Sequence, residues 1–365
     1  MIYPYNINTA LEIYLKNNLI YITNKEISKY ISFSSDFIIE TIKKLDLTEE
    51  KFQIIIDEKS KKVLGTLTDG DIRRILIKYK MLEKKVSQYL NKEPLLGKEN
   101  EIETNLKKIN VVDRTPAFLP IIDNNNILKS IIIKKPTNVM PEALLLAGGL
   151  GSRLGMLTKK KPKPLLKIKG KEIIEHCIEK LEVANVKKIY ISLNYLGEKI
   201  EKYISRRNSK AEIITFFEDQ KLGTIGPLSL IKKEISSSII VMNSDLITTL
   251  SIPAMVSFHK SEKLDASIAA ALFETEIPYG VLKYNEIGKL NSIEEKPKIK
   301  NLIAAGVYIL NKNVINMLKK NIPLDMPKLI DKAIENKLNI GVFPIHETWK
   351  DIGRPNDYYN MKKNL

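Results

Sequence analysis

The sequence predicts an α/β chain: a Rossmann-like, doubly wound mixed sheet over residues 138–365, preceded by a smaller α+β unit over residues 1–137. Three observations predict it. A chain of 365 residues is long for one domain and comfortable for two. The stretch Lys134–Pro141 carries two prolines and separates two differently patterned regions. After it, apolar strands alternate with amphipathic helices, the order of a mostly parallel sheet covered on both faces.

Taken in order, the front region offers a strand at Phe52–Asp57, a hairpin partner at Lys62–Leu67 and a helix at Asp71–Tyr79. Aspartate in that helix's first turn suits the helix dipole. Then Val86–Leu90 and Glu101–Ile109 precede a strand at Ala117–Asp123, a turn at Asn124–Asn126 and a strand at Ile127–Ile133. The recurrence reads as an internal repeat of about fifty to sixty residues. Behind the prolines, Ala143–Leu146 is a buried strand, Lys171–Val183 a helix, Lys188–Leu193 a strand, Leu196–Ser205 a helix and Glu212–Phe217 a strand. Gly226–Lys233 begins a helix and Ser238–Met242 is a strand; Ala266–Asn285 and Leu302–Leu310 are strand-rich, which suggests a substrate-binding lobe.

Composition narrows the classes. At 44 % hydrophobic the chain can bury a core. No apolar run approaches the ~20 residues of a membrane span. The first fifteen residues lack the basic start and apolar stretch of a signal peptide. The single cysteine, Cys177, excludes an internal disulfide and suits a reducing, cytoplasmic compartment. His176, His259 and His346 are scattered, so no His/Cys metal spacing exists. The net charge of +16 is spread along the chain and reads mostly as a solvated face that also suits anionic nucleotides and sugar phosphates. No nucleic-acid-reading motif accompanies it.

The chemistry concentrates in Leu146-Ala147-Gly148-Gly149-Leu150-Gly151-Ser152-Arg153, followed by Lys161-Pro162-Lys163-Pro164. Glycines let the backbone approach a polyphosphate and turn N–H groups toward it. Arg153 can grip phosphate oxygens bidentately and Lys163 can add a point charge, its loop stiffened by flanking prolines. The competing reading is a tight turn with surface lysines. A Walker loop is absent, and GxGxxG fails because position 154 is Leu.

This string resembles the signature of the sugar-1-phosphate nucleotidylyltransferases, and further segments of residues 141–360 match that family in order. Leu222-Gly223-Thr224-Ile225-Gly226 resembles the nucleoside loop, with Ile225 in place of the usual alanine. Asn243-Ser244-Asp245 resembles the metal-binding aspartate segment, and Trp349-Lys350-Asp351-Ile352-Gly353 the closing element whose aspartate completes it. Pro278-Tyr279-Gly280-Val281 and Glu294-Glu295-Lys296-Pro297 resemble the sugar and sugar-phosphate segments. Ala304 stands where an asparagine is frequent.

The resemblance implies nucleotide binding by Leu146, Ala147, Gly148, Gly149, Gly151, Ser152, Gly223 and Thr224. It implies catalytic roles for Arg153 at the leaving pyrophosphate and Lys163 at the α-phosphate. It also implies Mg²⁺ on Asp245 and Asp351, and a sugar phosphate on Tyr279, Gly280, Glu295 and Lys296. Residues 20–135 resemble a pair of CBS domains, at 22–83 and 84–135. There Thr68 and Asp71 match positions that hold an adenosyl nucleotide, or else simply cap a helix. The second repeat supplies neither residue. This domain order resembles guanylyltransferases acting on glucosamine 1-phosphate in legionaminic acid synthesis, implying GTP and that acceptor. Mannose 1-phosphate is the nearest alternative, UTP or dTTP with glucose 1-phosphate the next, and a non-catalytic nucleotide-sugar-binding subunit the alternative of another class. By analogy with CBS pairs, a homo-oligomer is expected.

Overall fold

The computed structural model describes Tyr14 and residues 19–48, 50–80, 83–112, 116–134 and 140–363. The proline-bearing stretch 134–141 lies for its larger part outside them. Two compact units divide the chain, Met1–Asn138 and Val139–Leu365.

The first unit carries two sheets. In one, Ile31–Phe33 runs parallel to Phe52–Ile56, which pairs antiparallel with Val63–Thr68. In the other, Gly97–Lys98 runs parallel to Ala117–Ile122, which pairs antiparallel with Leu128–Lys134; Leu19–Thr23 adds a fourth strand. A helix bridges the first parallel pair of each sheet, Ile38–Leu45 and Ile102–Asn110. The same strand–helix–strand–strand order therefore occurs twice. Corresponding strands begin at positions 52 and 117, so the repeat is 65 residues long rather than fifty to sixty. The sequence reading also lacked the Ile31–Phe33 strand and the Ile38–Leu45 helix. That helix presents Ile38, Ile42 and Leu45 to a core shared with Ile55, Leu67, Ile72 and Leu76; each such buried aliphatic side chain is worth about 1.5–3 kcal/mol.

The second unit is built on a seven-stranded mixed sheet. Its strands lie in the order Glu212–Phe217, Lys188–Leu193, Glu142–Leu146, Ser238–Asn243, Lys298–Asn311, Ala266–Glu276, Ile340–Ile345. The first four are mutually parallel, and Lys298–Asn311 runs against both its neighbours. Counted along the chain, those four parallel strands stand third, second, first, fourth. The order reverses between Glu142–Leu146 and Ser238–Asn243, and in open α/β sheets ligands bind outside the carboxyl ends of the strands at such a switch point.

The central strand explains its own burial. Ala143 and Leu145 enter one apolar cluster and Leu144 the cluster on the other face, all three fully buried. A strand covered on both sides must be apolar at successive positions. Helices Ile173–Val183 and Ile252–Ser261 supply Ile174, Ile178 and Met255 to the first cluster. Leu228–Ile231 and Met326–Glu335 supply Leu228 and Leu329 to the second. The helix expected over Gly226–Lys233 is only the Leu228–Ile231 turn, because Gly226 and Pro227 hold its start in a loop tied to Leu324.

Candidate active site

Everything at the switch point is positioned by strand ends. Ala147 follows the first parallel strand, Asn194 the second, Glu218 the third, and Ser244-Asp245 the fourth. The Ala147 N–H donates to Ser192 O at 3.0 Å, and the Glu218 N–H to Leu193 O at 2.9 Å. Ser244 locks the fourth strand to the first, its hydroxyl donating to Leu146 O at 2.7 Å.

The glycine-rich loop fits closely where it must. A Cβ on Gly148 would lie 2.6 Å from Glu218 Oε1. Gly151 has φ of +64°, and a Cβ there would meet Thr158 Cγ2 at 2.9 Å and Lys163 Cβ at 3.2 Å. The loop thus folds down onto Lys163 only because position 151 is glycine. Gly149 faces open space, and Ser152 and Arg153 are exposed at the mouth.

Lys163 opens the short 3₁₀ turn Lys163–Leu165 between Pro162 and Pro164 and is 8 % exposed. Its Nζ lies 2.5 Å from Asp245 Oδ2 and 3.8 Å from Asp351 Oδ1. The two aspartates meet because Leu246–Thr248 pairs antiparallel with Trp349–Asp351, Leu246 opposite Asp351. Trp349 anchors that ladder, its Nε1–H donating to Ala305 O at 2.8 Å. The Arg153 guanidinium adjoins Gly353, where a Cβ would lie 3.5 Å from Nη1 and 3.2 Å from Asp351 Oδ2. Burial raises the Asp351 carboxyl above its ordinary value, and the negative charge of Asp245 adds to this; Lys163 and Arg153 oppose it.

Asp245 Oδ1 and Asp351 Oδ1 are buried without a hydrogen-bond partner. Two orphaned carboxylate oxygens fit a hard divalent cation, which prefers oxygen ligands. Among the described residues no group of three or more acidic, His or Cys side chains could hold a metal. The protein's share of such a site is therefore two carboxylates, leaving the other positions to substrate phosphates and water.

The remaining expected residues divide. Gly223 has φ of +79° and abuts Leu324 O and Asp325. Thr224 is exposed and bonded within the loop: its N–H donates to Asp325 Oδ1 at 3.0 Å and its hydroxyl accepts from Met326 N–H at 2.8 Å. These bonds buttress the loop. Tyr279, Gly280, Glu295 and Lys296 come together on the exposed hairpin of Gly280–Tyr284 and Leu290–Glu295. There Gly280 is paired with Glu295, and the Lys296 N–H donates to Tyr279 O at 3.3 Å. No hydrogen bond or ion pair joins that hairpin to the Lys163 cluster among the described residues. Lys296 has φ of +47° immediately before Pro297, a strained backbone of the kind that collects at functional positions.

In the first unit, Thr68 and Asp71 form a capping box on the Asp69–Tyr79 helix. Asp71 Oδ2 accepts from Thr68 N–H at 2.8 Å and from Thr68 Oγ1–H at 2.7 Å.

Glu218 belongs to none of the sequence motifs, yet it stands at the site. It is half-buried between the glycine loop and the Leu222–Gly226 loop, its Oε2 accepting from Leu222 N–H at 3.2 Å. Burial raises its carboxyl above the ordinary range. Its signal is positional: an acidic residue one place beyond the third parallel strand, level with Ala147 and Asn194.

A doubly wound sheet with a glycine-rich loop, a lysine and two aspartates at its switch point defines a phosphate-handling α/β protein. The profile of the nucleotidyl transferase family matches residues 142–365, and the chain belongs to that family. It is 33 % identical over 223 residues to the mannose-1-phosphate guanylyltransferase catalytic subunit beta of Drosophila pseudoobscura pseudoobscura, covering 59 % of this chain and 60 % of that one. It is 34 % identical over 226 residues to mannose-1-phosphate guanylyltransferase 1 of Arabidopsis thaliana, covering 60 % and 62 %. The chain thus spans about three fifths of the length of these relatives. The crystal structure of HddC from Yersinia pseudotuberculosis superposes with a TM-score of 0.50 at 28 % identity, covering 62 % of this chain and 99 % of that one. Among the described residues, no helix is long and apolar enough to cross a membrane.

Proposed function

We propose that the chain transfers GMP from GTP to a sugar 1-phosphate, releasing pyrophosphate, with mannose 1-phosphate as acceptor. The observation that carries the reaction class is Lys163 set between Asp245 and Asp351 beside Arg153, beneath a glycine loop at the switch point. In-line displacement at phosphorus needs positioning and charge neutralisation rather than a covalent nucleophile. In this reading the glycine loop binds the triphosphate through backbone N–H groups, Arg153 grips the departing pyrophosphate and Lys163 the α-phosphate. Lys296 and Glu295 hold the acceptor. Mg²⁺ on Asp245 and Asp351 neutralises phosphate charge when bound.

Two observations favour guanine. The relatives named above are guanylyltransferases. Glu218 offers a carboxylate beside the loop, and guanine alone among the four bases presents adjacent N1–H and N2–H donors that one carboxylate accepts together. For the acceptor, the same relatives favour mannose 1-phosphate. Glucosamine 1-phosphate and the legionaminic route, suggested by domain order, draw no support from them and rank second.

For the first unit we propose a CBS pair that regulates the transferase by binding an adenosyl nucleotide. The doubled strand–helix–strand–strand order supports the pair; Thr68 and Asp71, which bond each other in a helix cap, would have to open that cap to take a ligand.

Pyrophosphate release, measured with four nucleoside triphosphates against four sugar 1-phosphates in the presence of magnesium, tests the reading. Turnover confined to GTP and mannose 1-phosphate is expected. Turnover with GTP and glucosamine 1-phosphate would keep the class and change the acceptor. Silence across the grid, with and without AMP or ATP as activator, would overturn the transferase assignment in favour of a binding subunit.

A further inference from the structure

The carboxylate pair that fits a divalent cation is already neutralised from within. Lys163 Nζ contacts Asp245 at 2.5 Å and faces Asp351 at 3.8 Å, and its side chain is only 10 % exposed. The Arg153 guanidinium lies near Asp351, both beside Gly353. A divalent ion entering between the aspartates would meet an ammonium and a guanidinium at close range, where partial burial weakens solvent screening. Two carboxylates are too few to hold a magnesium-like ion unaided, since such ions demand six oxygens and keep those the protein does not supply as water or phosphate.

We infer that Lys163 is a stand-in cation that keeps the Asp245–Asp351 pair closed to free divalent metal, and that the pair opens only when a nucleotide's phosphates draw the ammonium away. This inference rests on the nucleotidyl-transfer reading. The geometry supports a side-chain swing without backbone movement. Pro162 and Pro164 hold the main chain, while the lysine stem has four rotatable bonds and ends in a compact point charge. The swing has a destination, because Lys163 Cβ sits against Gly151 and the stem therefore starts beneath the loop offered for the phosphates. Metal and nucleotide would then bind cooperatively, each raising the other's affinity by the same factor. The two orphaned oxygens, Asp245 Oδ1 and Asp351 Oδ1, are what the single ammonium leaves unsatisfied.

The test is Mn²⁺ binding to the full chain without nucleotide or sugar, read from the electron paramagnetic resonance signal of free Mn²⁺. Lys163→Met and Lys163→Gln are expected to bind Mn²⁺ at least tenfold more tightly than the wild type. Lys163→Arg, which keeps the charge, should stay within about twofold of wild type, and Lys163→Met/Asp245→Asn should lose the gain. The inference is overturned if the neutral variants bind no more tightly than wild type, or if Lys163→Arg gains as much as they do. Should the neutral variants fail to fold by circular dichroism, the wild type alone decides. Micromolar Mn²⁺ binding without nucleotide would overturn the inference. Pyrophosphate release together with no Mn²⁺ contrast would discard this inference and keep the transferase reading. A Mn²⁺ contrast without turnover would do the reverse.

Discussion

Glu218→Gln tests the guanine contact proposed for that carboxylate. The substitution keeps size and shape but replaces two equivalent acceptor oxygens with one acceptor and one donor. Against guanine, the carboxylate accepts N1–H and N2–H together; the amide accepts one and presents N–H to the other. Glu218 is fixed beside the glycine loop, where the proposed reading needs it. Its Oε2 takes Leu222 N–H at 3.2 Å, and Gly148 leaves room for Oε1, which a Cβ would crowd at 2.6 Å. A hydrogen bond to a charged group is worth about 1.5–3 kcal/mol, so kcat/KM for GTP should fall roughly 10- to 150-fold. Against UTP the sign reverses, because uracil flanks N3–H with two carbonyls that repel a carboxylate and accept from an amide. The assay is pyrophosphate release at subsaturating GTP and UTP, with the melting temperature as the control for folding. An unchanged GTP/UTP ratio in a folded variant would refute the reasoning and move base recognition elsewhere. A second signature follows from burial. The Glu218 carboxyl is raised above the ordinary range, and only its ionised form accepts both donors. GTP affinity should therefore weaken as pH falls through that raised value, before exposed carboxylates titrate, and Glu218→Gln should remove this pH dependence.

Four further outcomes are expected. Asp245→Asn should cost at least ~100-fold in kcat at saturating magnesium, as loss of a ligand exceeds loss of its supporting shell; near-wild-type turnover would sink the metal assignment. Arg207→Met leaves the partly buried Glu175 and Glu182 without the guanidinium that now bridges them at 2.9 and 2.8 Å, and should cost about 1.5–3 kcal/mol in urea unfolding. The same network sets an acid limit. Arg207 holds the Glu182 carboxyl down at about 2 from 4.5, so its contribution is complete above the unfolded value and is lost as pH falls from the mid-fours toward 2. Cys177 is buried and its thiol is pushed up to about 12, so the native chain should resist iodoacetamide at pH 8 while the urea-unfolded chain is alkylated, as read by mass spectrometry.

What the sequence made legible follows the strength of local constraint. The segment Leu146–Arg153 could be read because each feature has one physical cause: an apolar strand buried on both faces, glycines where a Cβ would strike Glu218 or Lys163, then basic residues. Asp245 could be read at a strand end and Asp351 through the closing motif that resembles the family's, though the two stand 106 positions apart in numbering. Their meeting depends on a three-residue ladder that no periodicity announces. Thr224 was placed by its motif alone; its bond to Asp325, a hundred residues on, belongs to tertiary structure and could not be read from the local sequence. Glu218 escaped because a lone acid carries no pattern; only the strand order gives it a place beside Gly148. The Ile31–Phe33 strand and Ile38–Leu45 helix escaped for a related reason, since a three-residue strand and an eight-residue helix fall below what hydrophobic period can resolve.

The same strand order explains why opposite charges collect at this crevice at all. Four parallel strands deliver their carboxyl ends to one edge, so any residue just past a strand shares that edge with residues from the other three. Ala147 and Gly148 come from the first strand, Asn194 from the second, Glu218 from the third and Asp245 from the fourth. Two of these are acids, and a loop built to receive phosphate cannot sit beside bare carboxylates without a cation between them. Lys163 and Arg153, both carried on the loop that leaves the first strand, supply it. Neutralising one partner therefore has effects of opposite sign. Loss of Lys163 should weaken phosphate binding while freeing the aspartates for metal, whereas loss of Asp245 should weaken metal binding while leaving the lysine loose over the loop. A double-mutant cycle on nucleotide affinity should therefore show the two changes far from additive.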